Sequence, residues 1–77
     1  MKNLYELTKI ASAEMNSILK AEFGNTEVIC HQVNIYTNQR ITVDFDATRN
    51  KYMIYTDTQT IRNIKKEDVV KTIKNLK

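Results

Sequence analysis

The period of the apolar residues changes once along the chain, at Gly24, and that change constrains the fold more than composition does. Before it, Leu4, Leu7, Ala11, Met15, Ile18 and Leu19 recur at three- and four-residue spacing, which predicts an amphipathic helix over residues 4–23. Its polar face carries Lys2, Lys9, Asn16 and Lys20. Asn3 followed by Glu6 resembles a capping box, and Gly24, the only glycine, stands where a helix needs a left-handed C-terminal residue. Both ends of the helix are marked.

Beyond Gly24 the period falls to two. Residues 26–37 read as one long strand, with Ile29, His31, Val33 and Ile35 on one side and Val28, Cys30, Gln32, Asn34 and Tyr36 on the other. Thr37-Asn38-Gln39 has turn chemistry, after which Ile41, Val43 and Phe45 alternate with Thr42, Asp44 and Asp46 in a second strand. A loop at 47–50 leads to a third strand over 51–56, and the short connections make all three antiparallel neighbours. Residues 57–64 are a loop or a short fourth strand around 60–62. A closing helix over 66–76 places Val69, Val70, Ile73 and Leu76 on one side and Glu67, Lys71 and Lys74 on the other.

The expected fold is therefore α+β: a helix, a three-stranded antiparallel sheet with a short fourth strand as an option, and a C-terminal helix. Both helices should cover one face of the sheet and leave the other open. A chain of 77 residues makes a single domain, 1–77. Domains of this size bury only about 60% of their unfolded surface, so few apolar residues remain for a deep pocket.

No apolar run approaches the roughly 18 residues a membrane span needs, and Glu6 and Lys9 interrupt the first ten residues where a signal peptide needs an apolar stretch. The single cysteine, Cys30, makes no internal disulfide, and a reducing, cytoplasmic location is expected. Nine Lys, eight Asn and nine Ile have AT-rich codons, which suggests a low-GC bacterium or one of its phages or mobile elements.

The net charge of +3 is unevenly spread. Residues 1–27 are slightly acidic and residues 28–60 neutral. In the last 17 residues Arg62, Lys65, Lys66, Lys71, Lys74 and Lys77 stand against Glu67 and Asp68.

Catalytic chemistry finds little support. Cys30 and His31 invite a thiol–imidazole reading, but adjacent residues of one strand point to opposite faces. His31 reads instead as a hydrogen-bonded histidine of the covered face. Asp44 and Asp46 share a face roughly 6.6 Å apart, two strand rises, yet no third acidic ligand or glycine-rich turn accompanies them, so they read as the solvated face of the middle strand. No phosphate-loop, dinucleotide-binding or metal-ligand spacing occurs, and neither an enzyme nor a cofactor or metal is expected.

Binding surfaces are better represented. The open face collects Gln32, Asn34, Tyr36, Arg40 and, if the third strand turns Tyr52 and Ile54 inward, Met53 and Tyr55. Tyrosine, methionine and arginine are favoured interface residues, because they bury much area and, in the case of Tyr and Arg, keep a polar handle. The alternative surface is basic: Arg62, Lys65, Lys66, Lys74 and Lys77, a candidate footprint for phosphates.

The order helix, three strands, helix is that of the double-stranded-RNA-binding domain, whose last helix begins with KKxAK. Here Lys65-Lys66-Glu67-Asp68-Val69 matches only the lysine pair. Asp68 stands at the alanine position and Val69 at the third lysine, so membership is not assigned.

The expected function is that of a small non-enzymatic binding protein, an inhibitor or modulator from a phage or mobile element that contacts a larger host protein, for example a defence nuclease. The alternatives are a nucleic-acid-binding domain that uses the C-terminal cations and a homodimeric structural or assembly protein.

Overall fold

The helix predicted from the apolar period forms with both of its marks in use. The computed structural model describes residues 3–76. In it α1 spans Leu4–Phe23, with the Asn3 side chain accepting the Glu6 N–H at 2.8 Å. Gly24 ends the helix at φ 88°, a backbone region that strains a side chain, and its N–H donates to the Lys20 carbonyl at 2.9 Å.

Five strands follow, not three. They are β1 (Thr26–Ile29), β2 (Gln32–Ile35), β3 (Ile41–Asp46), β4 (Lys51–Tyr55) and β5 (Thr60–Ile64), each antiparallel to the next in the order β1-β2-β3-β4-β5. A 3-10 turn, Lys66–Asp68, leads into a short α2, Val69–Lys74. This element order departs from that of the double-stranded-RNA-binding domain.

The first discrepancy lies inside the predicted long strand. Cys30 (φ 50°) and His31 (φ 68°) take left-handed backbone in succession, reversing the chain so that Ile29 pairs with Gln32. Two positive φ angles in a two-residue loop suit the right-handed twist of a hairpin. Neither residue is a glycine, and each such angle costs about 1–2 kcal/mol. Contacts with α1 hold the turn: buried Ser12 donates its hydroxyl to the His31 carbonyl, and the Tyr5 ring meets the His31 ring edge-on at 4.9 Å.

The reversal also changes which residues share a face. Val28 now sits opposite Val33 on the covered side, whereas Ile29 sits opposite Gln32 on the open side. The expectation that Ile29 and His31 line the covered face is therefore corrected: Ile29 is on the other face and His31 is in the turn.

The second discrepancy is β5, a full strand of five residues. Its pairing with β4 slips by one, since Tyr52 faces Ile64 and Ile54 faces Ile61. The extra residue is a bulge at Asn63, φ 58°. It lets Ile61 and Ile64 both turn toward the helices.

The covered face holds the core: Met15 and Leu19 of α1, Val33, Ile35, Ile41, Val43, Tyr52, Ile54 and Ile64 of the sheet, and Val69 and Ile73 at α2. The two helices lie beside each other on this face, and ion pairs join Lys66 to Glu14 and Lys74 to Glu22, the latter at 3.3 Å. Burial is concentrated in the second half of α1. The first turns of α1 pack less closely: Leu7 and Ile10 border an open cleft with Phe45, Ala47 and Tyr52 at one end of the sheet. Leu4, Leu7 and Ile10 are accordingly exposed although they continue the apolar stripe.

Candidate functional site

Strand pleating alone decides which side chains reach the uncovered face, because successive residues point to opposite sides. The ladder aligns them in two rows. One runs Glu27, Asn34, Thr42, Tyr55 and Thr60 across β1 to β5; the other runs Ile29, Gln32, Asp44 and Met53, with Arg62 and Asn63 of the bulge opposite Met53. At about 4.8 Å between strands, each row is roughly 19 Å wide.

The rows divide in character. On the β1–β3 side the polar groups pair with one another: Thr42 Oγ1 donates to Asn34 Oδ1 at 2.6 Å, and Gln32 Nε2 donates weakly to Asp44 Oδ2 at 3.5 Å. On β4 stand Met53 and Tyr55, both half-buried, with the Tyr55 hydroxyl donating to the Met53 sulfur at 3.6 Å. An apolar and aromatic centre is thus bordered by a polar surface on one side and by Arg62 on the other.

Tyr36 and Arg40 stand at one corner. Tyr36 is exposed, and its hydroxyl donates to the Glu27 carboxylate. That hydrogen bond, with smaller contributions from desolvation and the Glu27 charge, holds the Tyr36 phenol above its ordinary value of 10.0, while Arg40 pulls the other way. Arg40 takes φ 45° in the loop between β2 and β3 and is exposed.

Four of the six open-face candidates, Gln32, Asn34, Met53 and Tyr55, therefore share one surface, and Tyr36 and Arg40 flank it. Sequence reading missed Ile29, because the Cys30-His31 turn lacks the Asn-Gly signal that marks such reversals. It offered a strand around 60–62 and counted Arg62 among the basic candidates, but did not place Thr60 and Arg62 on this face, because a strand with exposed Thr60, Arg62 and Asn63 carries no clean alternation.

Among the described members of the basic set, Lys65 and Lys66 line one polar cleft with Lys51 and Glu67, while Arg62 and Lys74 stand apart from it. Lys66 and Lys74 are engaged by Glu14 and Glu22 on α1, Arg62 projects from the open face, and Lys65 is exposed ahead of the 3-10 turn. Lys77, like Lys2, lies outside the described residues.

The residues considered for catalysis take structural positions. Asp46 Oδ1 accepts the N–H groups of Thr48 at 3.1 Å and Arg49 at 3.3 Å, closing the β3–β4 loop, and Asp44 Oδ1 accepts the N–H of Phe45 at 2.9 Å. Cys30 and His31 are neighbours in a turn rather than strand residues on opposite faces, so the pleat argument against a dyad does not apply. Ser12 holds the His31 backbone carbonyl and the Tyr5 ring packs on the imidazole, and no hydrogen bond among the described residues joins that ring to exposed Cys30. Among the described residues no group of three or more His, Cys, Asp or Glu side chains could hold a metal ion. A cleft of about 520 Å³ between the end of α1, α2 and the β2–β3 loop is lined by Phe23, Ile41, Ile73, Leu76 and residues 37–39. None of these side chains titrates near neutral pH, so the cleft offers no acid–base pair.

Among the described residues no helix is long and apolar enough to cross a membrane. Comparison with protein-family profiles, curated proteins and solved structures finds no match to this chain.

Proposed function

We propose that the protein is a non-enzymatic binding module that engages a protein partner through the open sheet face. The observation that carries this reading is a half-buried Met53–Tyr55 pair on an uncovered five-stranded face, flanked by the polar groups of Asn34, Thr42, Gln32 and Asp44. An apolar centre inside a polar rim is the usual anatomy of a protein interface, and a tyrosine there supplies area at low entropic cost.

The carboxylates Glu27, Asp44 and Asp46 on the same side disfavour a phosphate backbone, and two C-terminal cations are engaged by α1. These observations favour protein over nucleic acid. The finer reading is an inhibitor or modulator of a larger host protein, carried by a phage or mobile element and acting in the cytoplasm. It rests on coding bias, the small size of the chain and the single cysteine.

Capture from a lysate of a low-GC bacterial host, read by mass spectrometry, tests the proposal. Tyr55→Ala and Met53→Ala should each lose a protein that the unaltered chain and Lys65→Glu both retain. Loss with Lys65→Glu alone, or capture that is nuclease-sensitive and falls steeply with salt, would shift the reading to nucleic acid.

A further inference from the structure

The two edges of the sheet are guarded differently. On β5 the bulge at Asn63 breaks the ladder, Arg62 projects beside it, and Lys65 and Lys66 follow. Bulges and cations are the usual means by which an edge strand avoids pairing with another chain. The β1 edge, Thr26-Glu27-Val28-Ile29, has no lysine, proline or bulge, and Val28 and Ile29 are 41% and 44% exposed.

The hydrogen-bond phase shows which groups that edge presents. The Tyr36 N–H donates to the Asn25 carbonyl at 3.0 Å, one position before Thr26 pairs with Ile35. Antiparallel pairs alternate between bonded and non-bonded, so Glu27 and Ile29 spend their N–H and C=O groups on β2. Those of Thr26 and Val28 point away from the sheet, where an added strand would meet them.

We propose that β1 pairs antiparallel with β1 of a second copy of this chain, about a two-fold axis through Val28 and normal to the sheet. Of the registers that suit the pleat, this one keeps the two Glu27 side chains from facing each other and sets Thr26 opposite the Cys30 turn of the second copy. Val28 faces Val28 of the second copy on the covered side, where each can take up the other's outward N–H and C=O. Glu27 faces Ile29 of the second copy on the open side, so no like charges lie directly opposite. The Thr26 hydroxyl, which donates to Asn16 Oδ1 at 2.8 Å, fixes the even-numbered residues of β1 to the helix side. Pairing makes a ten-stranded sheet with a continuous open face. A four-residue edge buries little area, so association should be weak and concentration-dependent. The proposal is independent of what the open face binds.

Sedimentation velocity on the full chain over a concentration series tests it, with crosslinking to fix the register. The unaltered chain should move from the 9.0 kDa monomer toward twice that mass as concentration rises. Val28→Pro removes only an outward N–H, a change that edge strands tolerate, so that variant should stay monomeric with unchanged circular dichroism. In a Cys30→Ser background, Val28→Cys should form a disulfide dimer on mild oxidation, because a bonded antiparallel pair brings the two Cα atoms to about 5.5 Å. Glu27→Cys in the same background should not. A chain that is monomeric throughout, a folded Val28→Pro that still dimerises, or faster crosslinking through position 27 than through 28 would each overturn the proposal. So would a β1 edge that takes up only extended segments of other proteins.

Discussion

The two faces of one sheet share the same strands and differ in almost everything else. Ile54 is fully buried on the covered face, and its neighbour Tyr55 is half-exposed on the other. On the covered face the core side chains of β2 to β5 pack against apolar residues of the two helices, so stability is concentrated there. The open face is held by a few hydrogen bonds between exposed or half-buried groups, so its residues are free to change without unfolding the domain. That separation between residues that hold the fold and residues proposed to meet a partner is what makes the binding reading testable.

The sharpest break should come from Ile54→Ala, which leaves a cavity in the core and should lower stability by about 2–5 kcal/mol in urea unfolding. Tyr55→Ala should change stability by less than about 1 kcal/mol while abolishing capture. Equal destabilisation by the two would erase the distinction between the faces.

A smaller effect is expected where α1 is anchored above the covered face. Gly24→Ala forces a side chain to φ 88° and should cost about 1–2 kcal/mol, even though a Cβ there would meet no neighbouring atom. Asn3→Ala removes the cap on the Glu6 N–H and should cost about 1 kcal/mol. Thermal melts of the two variants should rank in that order.

The faces should also differ in alkaline titration. Burial raises the Tyr52 phenol on the covered side, and the Glu27 carboxylate raises Tyr36 on the open side, both from 10.0. A folded-state value above the unfolded one means the neutral phenol is favoured by folding. Its contribution is therefore fully present below pH 10 and is lost as pH rises through the raised value. Tyr52→Phe should make the melting temperature less sensitive to pH above 10, whereas Glu27→Gln should return the Tyr36 absorbance transition toward its ordinary position. The smallest effect belongs to Lys74→Ala: its pair with Glu22 is exposed, and removing it should alter stability by no more than about 0.5 kcal/mol.

Much of the covered face could be read from sequence, because a period of 3.6 up to Gly24 and a period of two in Ile41–Asp46 and Lys51–Tyr55 are local signals. The same alternation placed Gln32 and Asn34 on the open face, but Met53 and Tyr55 only on condition that Tyr52 and Ile54 turn inward, a choice that packing against the helices makes. The Cys30-His31 reversal was not legible. Its left-handed angles are held by Ser12 and Tyr5, some 19 and 26 positions earlier in the chain, so tertiary contacts override the local preference. β5 was half-legible for a related reason: a bulge that re-aims Ile64 breaks the alternation used to find strands. The division of the lysines could not be seen either, since Glu14 and Glu22 meet Lys66 and Lys74 only after both helices settle on one face.

Two methionines provide a direct test within one molecule: Met15, 1% exposed beneath the covered face, and Met53 on the open face of β4. The rate of sulfoxide formation at each, followed by mass spectrometry in the free chain and in the chain with its captured partner, separates the faces in a single measurement. Met53 should oxidise much faster than Met15 in the free chain and slow several-fold in the complex, with Met15 unchanged. A Met53 rate that the partner leaves unaltered would contradict the central claim that the open face is where this protein binds.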